Sequence, residues 1–316
     1  MPTALFAFLW RVSGRSQIVI AALAAALFVL NTAPLEMQRR ILNAATLDRD
    51  FGTVATLAAA YAAIVVLEGL VKLLMNIYGG WIGEKAVRAL RLSASTLVDA
   101  MPQQSQNADV RGVEVAMVLA EPEAIGGFIG IAISELVLHF GILASVFGYM
   151  FFVQPLLALV CLAIFSPQLV FVPLMQRAVN VRVQSRIGVL RRVSTAVLRA
   201  GTDESEKPWR QKARFDDIFE LNLGVIRLRF TMKFLMNLTH NLGRVAVLCV
   251  GGWFIVQGRT DIGTVVAFVS GLGNVRDPWA SLVSWYQDLM LTSAKYRMFV
   301  TAMQRFASRE DPLAAI

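Results

Sequence analysis

The sequence is short of charge, has two cysteines and two histidines, and contains no Gly-Lys dipeptide. Charged residues fill 16% of its 316 positions, against about 25% in a soluble globular domain. With 56% hydrophobic residues and a mean hydropathy of +0.59, that shortfall excludes an ordinary soluble fold. Cys161 and Cys249 both sit inside long apolar runs, too isolated for a disulfide framework or a metal-ligand set. His139 and His240 have no nucleophile or metal ligands at useful spacing, so no catalytic residue and no metal site is expected and the chain does not read as an enzyme. Without a Gly-x4-Gly-Lys-Ser/Thr run there is no phosphate loop; residues 79–85 come nearest, but they continue an apolar helix rather than follow a strand. Strand-like alternation is missing as well, and the apolar runs exceed the ~10 residues of a barrel strand.

What is present is a set of long apolar helices, an all-α integral membrane pattern. A short aromatic helix at 3–12 (Phe6, Phe8, Trp10) precedes Arg11 and Arg15 and suits the membrane surface. Its apolar run is too short for a cleavable signal, and no small-residue cleavage site follows it. Six spans are expected at about 17–37, 51–77, 124–152, 156–175, 234–256 and 262–290. Between them lie two long polar helical extensions, 78–123 and 176–233, with residues 104–122 of the first read as a polar link. Outer connections are short, notably Gln154-Pro155 and 257–261. With the N-terminus inside, 23 of the 30 basic residues fall on inner segments and four on outer ones. That asymmetry fixes both termini on the cytoplasmic side of a bacterial-type inner membrane. It also accounts for the net charge of +8 without a nucleic-acid partner.

The second extension carries thirteen basic residues from Arg177 to Lys233, yet it keeps a helical apolar stripe: Val179, Val183, Ile187, Leu190, Val193 and Val197, then Ile218, Leu221, Val225 and Leu228. Gly201 ends the first arm, Ser205 caps a second, and Pro208 fits only a first turn. Each arm of roughly 23 residues rises about 35 Å. Two membrane helices therefore continue beyond the lipid as an amphipathic hairpin.

Taken together, the surface helix, Pro34 near the outer end of span one and the two long hairpins after spans two and four resemble the transmembrane domain of an exporter-type ABC transporter. The most specific piece is Thr260-Asp261-Ile262-Gly263-Thr264-Val265-Val266-Ala267-Phe268 followed by Pro278, which resembles the opening of that family's sixth helix. Residues 294–299 resemble the linker helix that leads to an ATPase domain, and Arg214-Phe215 resembles an arginine-phenylalanine step in the arm leaving the second cytoplasmic loop. The resemblance implies a six-span subunit working as a homo- or heterodimer in lipid, with ATP-Mg held by a separate ATPase subunit and no cofactor on this chain. It also implies that the hairpin tips dock on the ATPase. Those tips are Asp109, Arg111, Gly112 and Val113 in the first hairpin, and Asp203, Glu204, Ser205, Trp209 and Arg210 in the second. Mixed charge around a tryptophan is independently the composition of an interface anchor.

Ionisable groups within spans are costly and face interiors or water. Glu68, Lys72, Glu135, His139, His240, Arg244, Arg276 and Asp277 are therefore the substrate-path candidates. Glu68 and Lys72, Glu135 and His139, and His240 and Arg244 are each four apart, close enough to meet on one helix face. Arg276 and Asp277 precede Pro278, which frees the carbonyl of Asn274 and bends a helix. Two other functions fit the same residues: an ATP-independent channel or carrier with Glu68, Glu135 and His139 as a proton relay, and a non-transporting membrane scaffold.

Overall fold

A computed structural model describes residues 4–48, 50–99, 108–200 and 208–309. The side chains of 97–121, 184, 186–188, 190–215, 217, 302 and 305–309 lie outside that description, as does that of Asp48. Among the described residues the secondary structure is entirely helical: α1 (Leu5–Asn43), a π-helical turn (Ala44–Asp48), α2 (Phe51–Asp99), α3 (Ala108–Val153), α4 (Pro155–Ala200), α5 (Pro208–Val256) and α6 (Ile262–Arg309). Five segments are long and apolar enough to cross a membrane: Leu5–Leu47, Phe51–Thr96, Pro122–Val153, Pro155–Val183 and Ile218–Val256. Helix α6 is not in that set, because Asn274, Arg276 and Asp277 dilute its apolar run. One expectation is corrected: the polar link at 104–122 is helical from Ala108 onward, and Pro122 lies inside α3. A proline halfway along a helix removes one amide but does not prevent the helix when the flanking residues propagate it.

The helix ends follow from local chemistry. Surface helix and first span form one element, bent at Ser13, whose φ of −141° is non-helical. The bend is held by Ser13 Oγ donating to the Leu9 carbonyl (3.0 Å) and by Gln17 Nε2 donating to Ser13 Oγ (3.1 Å) and to the Ile129 carbonyl on α3 (3.2 Å). Phe8 packs on Tyr296 of α6 with ring centroids 5.4 Å apart; burial pushes the Tyr296 phenol up to about 12. Helix α5 ends with Gly258 at φ 66°. Its N–H bonds the Ile255 carbonyl and the Arg259 N–H bonds the Phe254 carbonyl, each at 2.9 Å, which is the paired C-cap that needs a left-handed residue.

Asp50 caps α2. Its carboxylate accepts from the amides of Gly52 (3.0 Å) and Thr53 (3.2 Å) and from the Thr53 hydroxyl. The Thr53 hydroxyl first, then the two amides, hold its carboxyl below the usual aspartate range. A depressed folded-state pKa contributes stability above the unfolded value and loses it as pH falls through the folded one. Wild type is therefore expected to lose part of its thermal stability on acidification below about pH 4, and Asp50→Asn to show a smaller loss over that interval; melting temperatures in detergent across that range check it.

Contacts divide the chain into two units, Met1–Val153 with Asp261–Ile316, and Gln154–Thr260. In the first, α3 packs against α1, α2 and α6. Its closest seam is with α2, where glycines face one another: a Cβ on Gly130 would meet the backbone of Gly79 and Gly83, and one on Gly126 the backbone of Gly83 and Val87. Such small-residue faces let helices approach without side chains between them. Helix α6 begins at a second close approach. Asp261 Oδ1 accepts from the Thr264 amide, and Asn43 Oδ1 of α1 accepts from the Gly263 amide at 3.2 Å. A side chain at Gly263 would run into the Arg39 carbonyl. Five residues on, Phe268 is fully buried.

The second unit is the antiparallel pair α4 and α5. Pro167 and Pro173 lie inside α4. Pro167 leaves the Ala163 carbonyl without its helical amide, and Ser166 Oγ donates to that carbonyl at 2.8 Å. Buried Phe165 meets buried His240 edge-on, 6.1 Å between ring centres.

Candidate functional site: a polar cavity among four helices

Within the first unit, a cavity of about 250 Å³ opens among α1, α2, α3 and α6. Helix α1 supplies Leu27 and Asn31; α2 supplies Glu68 and Lys72; α3 supplies Leu138, His139 and Ile142; α6 supplies Gly273, Asn274, Asp277 and Pro278. Four of the eight path candidates thus converge from three helices: Glu68, Lys72, His139 and Asp277. The positions on α3 and α6 are near the middle of the sequence-predicted spans, where an ionisable side chain is tolerated only by a partner or a wet interior. Asn274 and Pro278 both line the space, so the carbonyl that the proline deprives of its amide belongs to a wall residue. Gly273 leaves the wall open, with nothing within 4 Å of where its Cβ would be, whereas a Cβ on Gly271 would meet Met150 Cε at 2.7 Å.

Polar pairing inside the cavity differs from the expected i, i+4 pairs. Glu68 accepts from Asn31 Nδ2 at 2.9 Å, a bond across helices rather than along one. Among the described residues the salt bridges are Glu36 with Arg39 and Arg40, and Arg91 with Glu123, so the pairing of Glu68 with Lys72 is corrected: the ammonium stays without a carboxylate. A lysine on an exposed helix face extends its stem toward water instead of doubling back. His139 Nδ1 is buried with no hydrogen-bond partner.

The remaining candidates lie elsewhere. Arg276 is exposed and does not line the cavity, because one residue along a helix turns the side chain by about 100° from Asp277. Glu135, one turn from His139, is half-buried and feels the charge of Asp288 on α6. Asp288 is a residue the sequence reading passed over, its only signal being one carboxylate late in an aromatic stretch. His240 and Arg244 belong to the second unit; Arg244 bonds Asn241 on its own helix. The docking-tip residues Asp203, Glu204 and Ser205 lie outside the described residues, as do the side chains of Asp109, Arg111, Val113, Trp209 and Arg210 and the surroundings of Gly112.

The outer end of the unit carries a group absent from the candidate set. Glu36 accepts from Arg39 (2.9 and 3.0 Å), from Arg40 (2.6 Å) and from the Tyr149 hydroxyl of α3 (2.9 Å). It ties α1 to α3 just beyond Pro34. Two arginines three and four residues after a glutamate were the signal that could have found it.

A family model described as the ABC transporter transmembrane region matches residues 19–186. That range holds Asn31, Glu68, Lys72 and His139 of the cavity. A fatty acid ABC transporter ATP-binding/permease protein of Mycobacterium bovis is 26% identical over 251 residues, covering 75% of this chain and 38% of the relative. A protein of the same description from Mycobacterium tuberculosis matches with the same values. The chain spans little more than a third of the length of these relatives.

Proposed function

The chain belongs to the ABC transporter transmembrane-region family and is a membrane subunit of that class; we propose that it forms the translocation path of an exporter-type transporter driven by ATPase domains. The observation that carries this reading is the cavity, where four ionisable side chains from three membrane helices surround one space. Helix α6 completes the set of six crossings despite its polarity, since two of its three diluting residues, Asn274 and Asp277, are on the cavity wall. A second copy, or a homologous subunit, closes the path as a dimer. Both termini and the extensions of α2–α3 and α4–α5 are cytoplasmic in a bacterial-type inner membrane, as the basic residues favour. Helices α4 and α5 are unbroken from their apolar halves to Ala200 and from Pro208. They act as levers: a push at the tip moves the span as a rigid body. Membership of the family favours this function over the ATP-independent carrier and the scaffold.

Docking is assigned to Asp109, Arg111, Gly112 and Val113 at one tip and to Asp203, Glu204, Ser205, Trp209 and Arg210 at the other. Trp209→Ala with Arg210→Glu is expected to cut capture of the ATPase domains from detergent extracts at least ten-fold, about 1.4 kcal/mol or more, whereas Lys72→Met leaves capture unchanged. Equal capture by both variants would remove the docking assignment.

A further inference from the structure

We propose that the cavity takes the headgroup of a monocationic amphiphile, its ammonium held between Glu68 and Asp277. This rests on the transport reading above and names its cargo class. The cavity holds two carboxylates and one ammonium, and His139 adds an imidazole rather than a fixed charge. One negative charge is left over, on half-buried Glu68 and exposed Asp277 within predicted spans, where an uncompensated charge is costly. Outside the cavity, Glu135 and Asp288 add two carboxylates and Arg276, next to Asp277, adds one guanidinium, so the balance of the local field still favours a cation. Asn31 satisfies one oxygen of Glu68 and leaves the other for a ligand. Leu27, Leu138 and Ile142 give the same space an apolar wall. At about 250 Å³ it falls just below the ~300–1,000 Å³ of drug-sized sites, which suits a headgroup whose alkyl chain runs on between lipid-facing helices. Lys72, at the exposed edge, sets the sign: it weakens a cation and would strengthen an anion.

The test is saturable binding of radiolabelled decyltrimethylammonium and of decanoate to the purified full chain in nanodiscs, with thermal melting to show that each variant is folded. Decyltrimethylammonium is expected to bind, at least ten-fold more weakly in Glu68→Gln and in Asp277→Asn, and more tightly in Lys72→Met; decanoate shows no saturable binding. Saturable decanoate binding that Lys72→Met abolishes overturns the proposal, and so does absence of saturable binding for either probe. In both of those cases, nucleotide-dependent exposure of residue 274 to a thiol reagent would show that the transport reading stands and only the cargo class has fallen.

Discussion

Gly130→Val is expected to destabilise the protein by about 3 kcal/mol, the upper part of the range for overpacked cores, and to lower its melting temperature in detergent by roughly 5–10 °C. The reason is what the new carbons would meet. Opposite Gly130 are the carbonyl of Gly79 and the amide of Gly83, backbone atoms of a helix that is itself wedged at Gly126. A side chain in the way could change rotamer; a backbone cannot, so α2 and α3 must separate along the seam. Three residues earlier the same substitution type has the opposite sign. Gly127 has nothing within 4 Å of its would-be Cβ, and Gly127→Ala should gain about 0.5–1 kcal/mol by restricting the unfolded chain. A melt of the two variants side by side, with equal losses for both, would show that the seam does not depend on close approach.

Ile226→Pro should uncouple the machine without unfolding its membrane part. Ile226 lies inside α5, about half exposed at 48%, so its side chain contributes little packing. A proline there removes the amide that bonds the Asn222 carbonyl and clashes with that carbonyl, costing about 3 kcal/mol and kinking the helix. The kink falls between the docking tip and the apolar half of α5. ATPase domains reconstituted with this variant are expected to retain ATP hydrolysis while ATP-driven transport falls at least ten-fold; Ile226→Ala should keep both within about two-fold. Transport that persists in the proline variant would mean the motion reaches the membrane by another route.

Much of this architecture is written in local patterns. The arms are legible because the apolar stripe from Val179 to Leu228 keeps its step of three and four through a run of arginines. A helix start is legible where a single residue sets it, as with Pro208. The close packing of α3 has its signal in Gly126 and Gly130, four apart, but its partner does not: Gly79 and Gly83 sit in a continuing helix and show their role only once the facing helix is in place. The 104–122 segment misled because polarity says nothing about whether a backbone continues as helix. Candidate path residues were found by depth alone, which cannot give azimuth. Depth drew attention to Asp277, which lines the cavity, and gave Arg276 the same weight, although the two sit about 100° apart on α6. Likewise Glu68 had an obvious neighbour in Lys72 and takes Asn31 instead, since a hydrogen bond between helices depends on packing that no spacing rule contains.

The most direct test of the central claim is the accessibility of position 274. In a Cys249→Ser background, which removes the exposed native thiol and leaves Cys161 buried, Asn274→Cys places a thiol on the cavity wall. The protein, purified with its ATPase domains, is treated with a charged, membrane-impermeant thiol reagent from the cytoplasmic side. The account predicts labelling without nucleotide and at least a ten-fold slower rate when ATP and vanadate trap the closed state. Labelling at one unchanged rate in both states, or none in either, would contradict it.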